Sequence, residues 1–141
     1  MSKGQRLPFQ VATWTSFATG LAHLAGHLAG PQAPANDTEK TLVHLMTTYR
    51  YEIMGVQRTI HDFMDGFSLS YSLFMATLGG LSLVALRKMD AAGLRAFAFV
   101  AALSNLVLLV LSLRYFVPPP AVFTAVALLG YAVSAWNGRA R

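Results

Sequence analysis

Four stretches of this chain are nearly devoid of charge, and polar segments of unequal length separate them. Leu7 to Gly30, Phe67 to Leu86, Ala96 to Leu113 and Tyr115 to Gly138 contain no Asp, Glu, Lys or Arg. About 20 apolar residues suffice to cross the hydrocarbon core of a bilayer, so the pattern predicts four transmembrane helices over about 9–29, 63–86, 94–116 and 121–136. Pro118-Pro119-Pro120 marks a rigid turn before the last of them. The short connection from Arg87 to Gly93 predicts that the third helix returns antiparallel beside the second. After the first run, Leu42, Val43, Leu45 and Met46 recur at helical spacing and predict an amphipathic surface helix from Thr38 to about Tyr51. Asn36 and Glu39 are spaced to cap it. No proline interrupts the chain from Ala35 to Val117, so that helix is expected to run on into helix 2 with a bend at Gly55 or Gly66. The expected fold is all-α: an antiparallel up-down integral membrane four-helix bundle, a single transmembrane domain over residues 1–141 with an outer-side loop and surface helix at about 31–61.

Composition strengthens this reading. Hydrophobic residues make up 55% of the 141 residues and charged ones 12%, far too apolar for an ordinary soluble domain. A signal peptide is the competing reading of the first run, but the run is long for one and carries two histidines. Cysteine is absent, which excludes disulfides, thiolate metal sites and cysteine nucleophiles. The basic pI of about 10 follows from membrane sidedness. With four spans, Lys3, Arg6, Arg87, Lys88, Arg95, Arg139 and Arg141 share one side with Asp90 alone. Lys40, Arg50, Arg58 and Arg114 share the other with Asp37, Glu39, Glu52, Asp62 and Asp65. The positive-inside rule then puts both termini in the cytoplasm. Basic residues are not clustered among aromatics, so no nucleic-acid partner is expected.

Candidate chemistry concentrates where helix 2 begins. Arg58, His61, Asp62 and Asp65 fall at i, i+3, i+4 and i+7 and would share one helix face, which continues into Ser68, Ser72, Ala76 and Gly80. On helix 1, Ala18, Ala22, Gly26 and Gly30 form a small-residue track suited to close helix packing, with His23 and His27 beside it. At about 1.5 Å per residue, His23 and Asp65 lie at one depth, as do His27 and His61. Arg114 and Tyr115 lie near that level, and Asn105 near mid-membrane is expected to form an interhelical hydrogen bond.

Four readings follow. His23, His27, His61 and Asp65 could ligate zinc, iron or copper, since histidines at i, i+4 present two ligands from one face. His61, Asp62 and Asp65 could perform acid–base catalysis on a lipid-soluble substrate, with Arg58, Arg114, Tyr115 and Asn105 holding it. The bland reading is a buried network in which Arg58 and Arg114 neutralise Asp62 and Asp65. Haem between His23 or His27 and His61 is a weaker alternative, without a CxxCH site. The scattered methionines read as packing residues.

Met54-Gly55-x-x-Arg58-x-x-x-Asp62-Phe63-x-x-Gly66-Phe67-Ser68, with Tyr115-Phe116-x-Pro118-Pro119-Pro120 before the last helix, resembles a group of small four-helix bacterial membrane proteins without an assigned activity. The resemblance covers nearly the full length. It implies the four-span fold and a bacterial inner-membrane location, and it marks Arg58, Asp62, Gly66 and Phe67. The paired histidines are not part of it. The expected function is binding of a hydrophobic small molecule or lipid, metal-assisted or not, in a polar cluster between helices 1 and 2 under the outer leaflet. The alternative is a non-enzymatic subunit that docks onto another membrane protein or onto a second copy of itself.

Overall fold

The computed structural model describes residues 2–138. It is mainly helical: α1 Lys3–Leu28, α2 Asp37–Thr48, α3 Ile60–Lys88, α4 Ala91–Tyr115 and α5 Pro118–Asn137, with a hairpin of β1 Arg50–Ile53 and β2 Val56–Thr59 before α3. Three of the helices, α3, α4 and α5, are long and apolar enough to cross a membrane. α1 matches them in length, but Gln5, Gln10, Thr13, Thr15, Ser16, Thr19, His23 and His27 dilute its apolar content.

The first four helices, α1 to α4, each start where a side chain can occupy an otherwise orphaned backbone N–H. Ser2 caps α1 through the Gln5 N–H. Asn36 caps α2, accepting from the Glu39 N–H at 2.9 Å, while Glu39 accepts in return from the Ala35 N–H. Asp90 caps α4 through the Gly93 N–H at 2.8 Å. Pro120 lies in the first turn of the last helix, as its missing N–H allows, and Pro118 and Pro119 belong to that turn too instead of preceding the helix, since a φ near −65° is already helical.

The segment expected to carry the surface helix into helix 2 through a bend at Gly55 or Gly66 is instead a β-hairpin. α2 stops at Thr48, and Tyr51, Glu52 and Ile53 pair with Arg58, Gln57 and Val56. The turn is Met54-Gly55, with φ of 53° and 80°. Positive φ at both central residues is the two-residue turn whose twist matches that of paired strands. The hairpin also removes Arg58 from the helix face it was expected to share with His61, Asp62 and Asp65.

Helix neighbours differ from chain neighbours. α3 packs on α1, α1 on α5 and α5 on α4, whereas α3 and α4 hardly touch despite their short connection. α1 is therefore an inner element, and its buried stripe is Gln5, Phe9, Ala12, Thr13, Ser16, Thr19 and Gly20. The expected track of Ala18, Ala22, Gly26 and Gly30 is exposed. The seam lies on the adjacent face because Gly20 admits the α3 backbone: a methyl there would come within 2.7 Å of the Ala76 nitrogen. Gly79 of α3 accepts the Phe17 backbone in the same way, and Gly130 of α5 accepts Pro8 and Ala12. On α3, Ser72 and Ala76 lie in the seam as expected, with Gly79 taking the place assigned to Gly80.

The apolar core gathers at the end of the bundle holding both termini. Phe9, Ala85, Leu94, Ala98, Ala127 and Tyr131 are buried together, and the Phe9 and Tyr131 rings meet edge-on at 5.4 Å. Tyr131 shares a 2.8 Å hydrogen bond with Ser82. The buried Gln5 amide donates to the Ala91 carbonyl at 2.9 Å, and Asn137 donates to that of Gly4.

Candidate functional site

At the opposite end, beneath the hairpin, the helices part around a cavity of about 390 Å³. His23 of α1, Met64, Phe67, Ser68 and Tyr71 of α3, Ser112 and Phe116 of α4, and Pro120 of α5 line it. His23 is anchored on two sides. Its Nε2 lies 2.9 Å from the Ser68 hydroxyl, and its ring meets Tyr71 edge-on at 4.8 Å.

Most buried hydroxyls among the described residues are satisfied on their own helix; Tyr71 and Ser112 at the cavity are exceptions, as are Thr124 and Ser134, which do not line it. Thr13, Ser16, Thr19, Ser72, Ser82 and Ser104 each donate to the carbonyl four residues earlier, the ordinary solution for a hydroxyl on an apolar helix. Tyr71 Oη and Ser112 Oγ are equally buried and have no hydrogen-bond partner. Thr124 Oγ1 faces Tyr71 closely enough to interact with its hydroxyl, yet the two do not meet in a well-formed hydrogen bond. A buried hydroxyl without a partner costs about 1–3 kcal/mol. Two such groups lining one apolar cavity are the arrangement expected of a pocket whose polar complement arrives with a ligand.

The expected polar cluster is dispersed. Arg58 is exposed on β2, and its guanidinium donates to the Gln57 carbonyl at 2.8 Å. Asp62 belongs to a capping box: it accepts from the Thr59 N–H at 2.8 Å while Thr59 Oγ1 accepts from the Asp62 N–H. His61 and Asp65 pair at 3.1 Å one turn apart, with side chains 42% and 43% exposed, an arrangement worth little in stability. Arg114 and Tyr115 are exposed at the end of α4. Asn105 is buried, but its amide donates to the Ala101 carbonyl of its own helix rather than across helices, and its Oδ1 has no partner.

His23, His27, His61 and Asp65 are not assembled as metal ligands. Among the described residues, no group of three or more His, Asp or Glu is placed to hold a metal ion. The depth matching behind that expectation is off by about one turn, because His23 meets Ser68 instead of Asp65. His61 is the second residue of α3, so it sits at the rim of the helix pair, where Asp65 engages it. Of the residues expected to ligate, catalyse or hold a substrate, the cavity retains His23 alone, while Phe67 of the motif and Ser68 of the polar face also line it. Tyr71, Ser112 and Thr124 were not anticipated; their one signal was a hydroxyl placed within an apolar run.

No protein-family model, curated protein or solved structure matches the chain. A second, shallower hollow of about 900 Å³ runs along the outside of α4 and α5, lined by Ala96, Phe99, Leu103 and Ala132 with Arg95 and Trp136 toward one end. It contains no unpartnered buried polar atom.

Proposed function

We propose that the chain is a four-span integral membrane protein, with α1 as the fourth span and both termini cytoplasmic, that binds a hydrophobic small molecule or lipid in the cavity between α1, α3, α4 and α5. The observation that carries this reading is the pair of buried hydroxyls of Tyr71 and Ser112, without a well-formed hydrogen bond, on a wall whose other polar groups, His23 and Ser68, are paired with each other. The outer faces of the helices fit a lipid environment. Phe74, Phe99, Val100, Leu103, Val110, Leu113 and Leu129 are all largely exposed, which soluble monomers avoid over areas this large. The excess of Lys and Arg at the end with the termini supports the cytoplasmic assignment. No metal takes part in this reading.

The test is retention of a ligand through purification. Protein extracted in mild detergent should carry a molecule recoverable in organic solvent at near-stoichiometric amount, and Met64→Trp, which fills the cavity from its rim, should lose it. Wild type and Met64→Trp with identical extracts would refute the reading.

One observation favours a second reading, a docking subunit. α2 has no buried residue, and the apolar Leu42, Val43, Leu45, Ile53, Met54 and Val56 are exposed on it and the hairpin, with Met54 99% exposed at the tip. A constant second chain that co-purifies with wild type and is lost on Met54→Asp would support it.

A further inference from the structure

The cavity's lining also constrains what it accepts, and this step rests on the lipid-binding reading above. Among the described residues, no Asp, Glu, Lys or Arg lines the cavity. A phosphate or carboxylate brought there would lose its hydration with no cation to receive it, and a buried unpaired charge is among the least favourable arrangements in a protein. What the wall offers is hydrogen-bonding capacity without charge. The hydroxyls of Tyr71 and Ser112 are free to donate, and the His23–Ser68 pair retains one further site whichever group donates within it. The apolar remainder is Met64, Phe67, Phe116 and Pro120.

The way in has the same character. α3 and α4 hardly pack on one another, and the cavity is walled by both. Phe67 on α3 and Phe116 on α4 are 75% and 59% exposed, so the two rings border this seam toward the lipid. A molecule already dissolved in the bilayer could enter sideways without passing through water.

We infer that the cavity between His23, Tyr71 and Ser112 selects an uncharged lipid whose head carries hydrogen-bond-accepting carbonyl oxygens, entering between α3 and α4 from the membrane. An ester-headed diacylglycerol and a prenylated quinone share this chemistry. A phosphate-headed lipid with the same chains does not.

The full chain, purified and placed in phosphatidylcholine nanodiscs, is exposed separately to photoactivatable diacylglycerol, prenyl quinone and phosphatidic acid probes of matched chain length, and labelled peptides are mapped by mass spectrometry. One or both uncharged probes should label residues 64–71 or 112–120, about tenfold above phosphatidic acid. Tyr71→Phe combined with Ser112→Ala should reduce that labelling by about tenfold, the loss of roughly one net hydrogen bond, while labelling of the outer faces of α4 and α5 stays constant. Labelling by one uncharged probe alone supports the inference and identifies the ester or the ring ketone as the preferred head. Phosphatidic acid labelling the cavity as well as the uncharged probes, or better, overturns the head-group selection and leaves the lipid-binding reading standing. Absence of cavity labelling by all three overturns both.

Discussion

The two ends of this bundle solve the same problem differently. Each holds a tyrosine hydroxyl out of solvent among apolar helices, on a fully buried Tyr131 at one end and a half-buried Tyr71 at the other. At the end with the termini, Tyr131 shares a hydrogen bond with Ser82, which also donates to the Leu78 carbonyl, and the Phe9 ring packs against it. At the hairpin end, Tyr71 stands against His23 with its hydroxyl unpartnered, beside a cavity. Composition does not separate them, since both ends use aromatics, serines and small residues. The difference is space: the end with the termini is filled by its own side chains, although Ser134 Oγ is buried there without a partner, whereas at the hairpin end the unpartnered hydroxyls of Tyr71 and Ser112 border a cavity. In a marginally stable molecule, an incomplete site persists when something outside the chain completes it.

The largest expected effect attacks the closed end. Gly130→Val puts atoms where a Cβ alone would lie 2.7 Å from the Pro8 carbonyl oxygen and 2.8 Å from Ala12 Cβ, so α1 and α5 must separate. A loss of about 3 kcal/mol is expected, read as a lowered unfolding midpoint in detergent. An unchanged midpoint would mean that the two helices do not approach this closely.

A smaller effect tests the hairpin junction. Thr59→Ala removes the hydroxyl half of the capping box at the start of α3, and about 1 kcal/mol should be lost. Hydrogen exchange should rise in residues 50–62 and not around Tyr131. Exchange rising equally at both ends would contradict the division. The smallest effect concerns His61→Ala. The exposed pair with Asp65 contributes at most about 0.5 kcal/mol, so both stability and ligand retention should be nearly unchanged. Loss of a co-purified ligand in this variant would return His61 to the functional site.

These contrasts show which features can be read from a sequence. The helices were legible, because long uncharged runs leave few alternatives and Asn36 and Glu39 carry a recognisable cap. The hairpin was hidden by its turn: Met54-Gly55 lacks the Asn or Asp that normally announces positive φ, and four-residue strands give too short an alternation to outweigh helical spacing. Helix neighbours were not legible. A short link between α3 and α4 suggested adjacency, yet the close approaches of Gly20, Gly79 and Gly130 draw α3 and α5 onto α1 instead. On α1, the Ala18-to-Gly30 track and the stripe through Ala12, Ser16 and Gly20 both repeat small residues every four positions, and spacing alone does not choose between them.

The candidate site shows the same limit more sharply. Charge drew attention to Arg58, His61, Asp62 and Asp65, but an exposed carboxylate at the start of a helix is first a cap, and Asp62 is one. The cavity is marked by uncharged hydroxyls whose meaning depends on a missing partner. Ser82 and Ser112 are alike in sequence context, each in an apolar run. One is bonded twice and the other is not bonded at all.

The central claim is that the hairpin end keeps hydrogen-bonding groups in reserve for a ligand. The most direct test compares Tyr131→Phe with Tyr71→Phe by thermal unfolding of delipidated protein in one detergent. Tyr131→Phe breaks a made hydrogen bond and should cost about 1 kcal/mol, whereas Tyr71→Phe removes a buried hydroxyl that has no partner and should be neutral or stabilising by up to about 1 kcal/mol. Equal destabilisation by the two substitutions would show that Tyr71 is already satisfied within the protein, and would contradict the account.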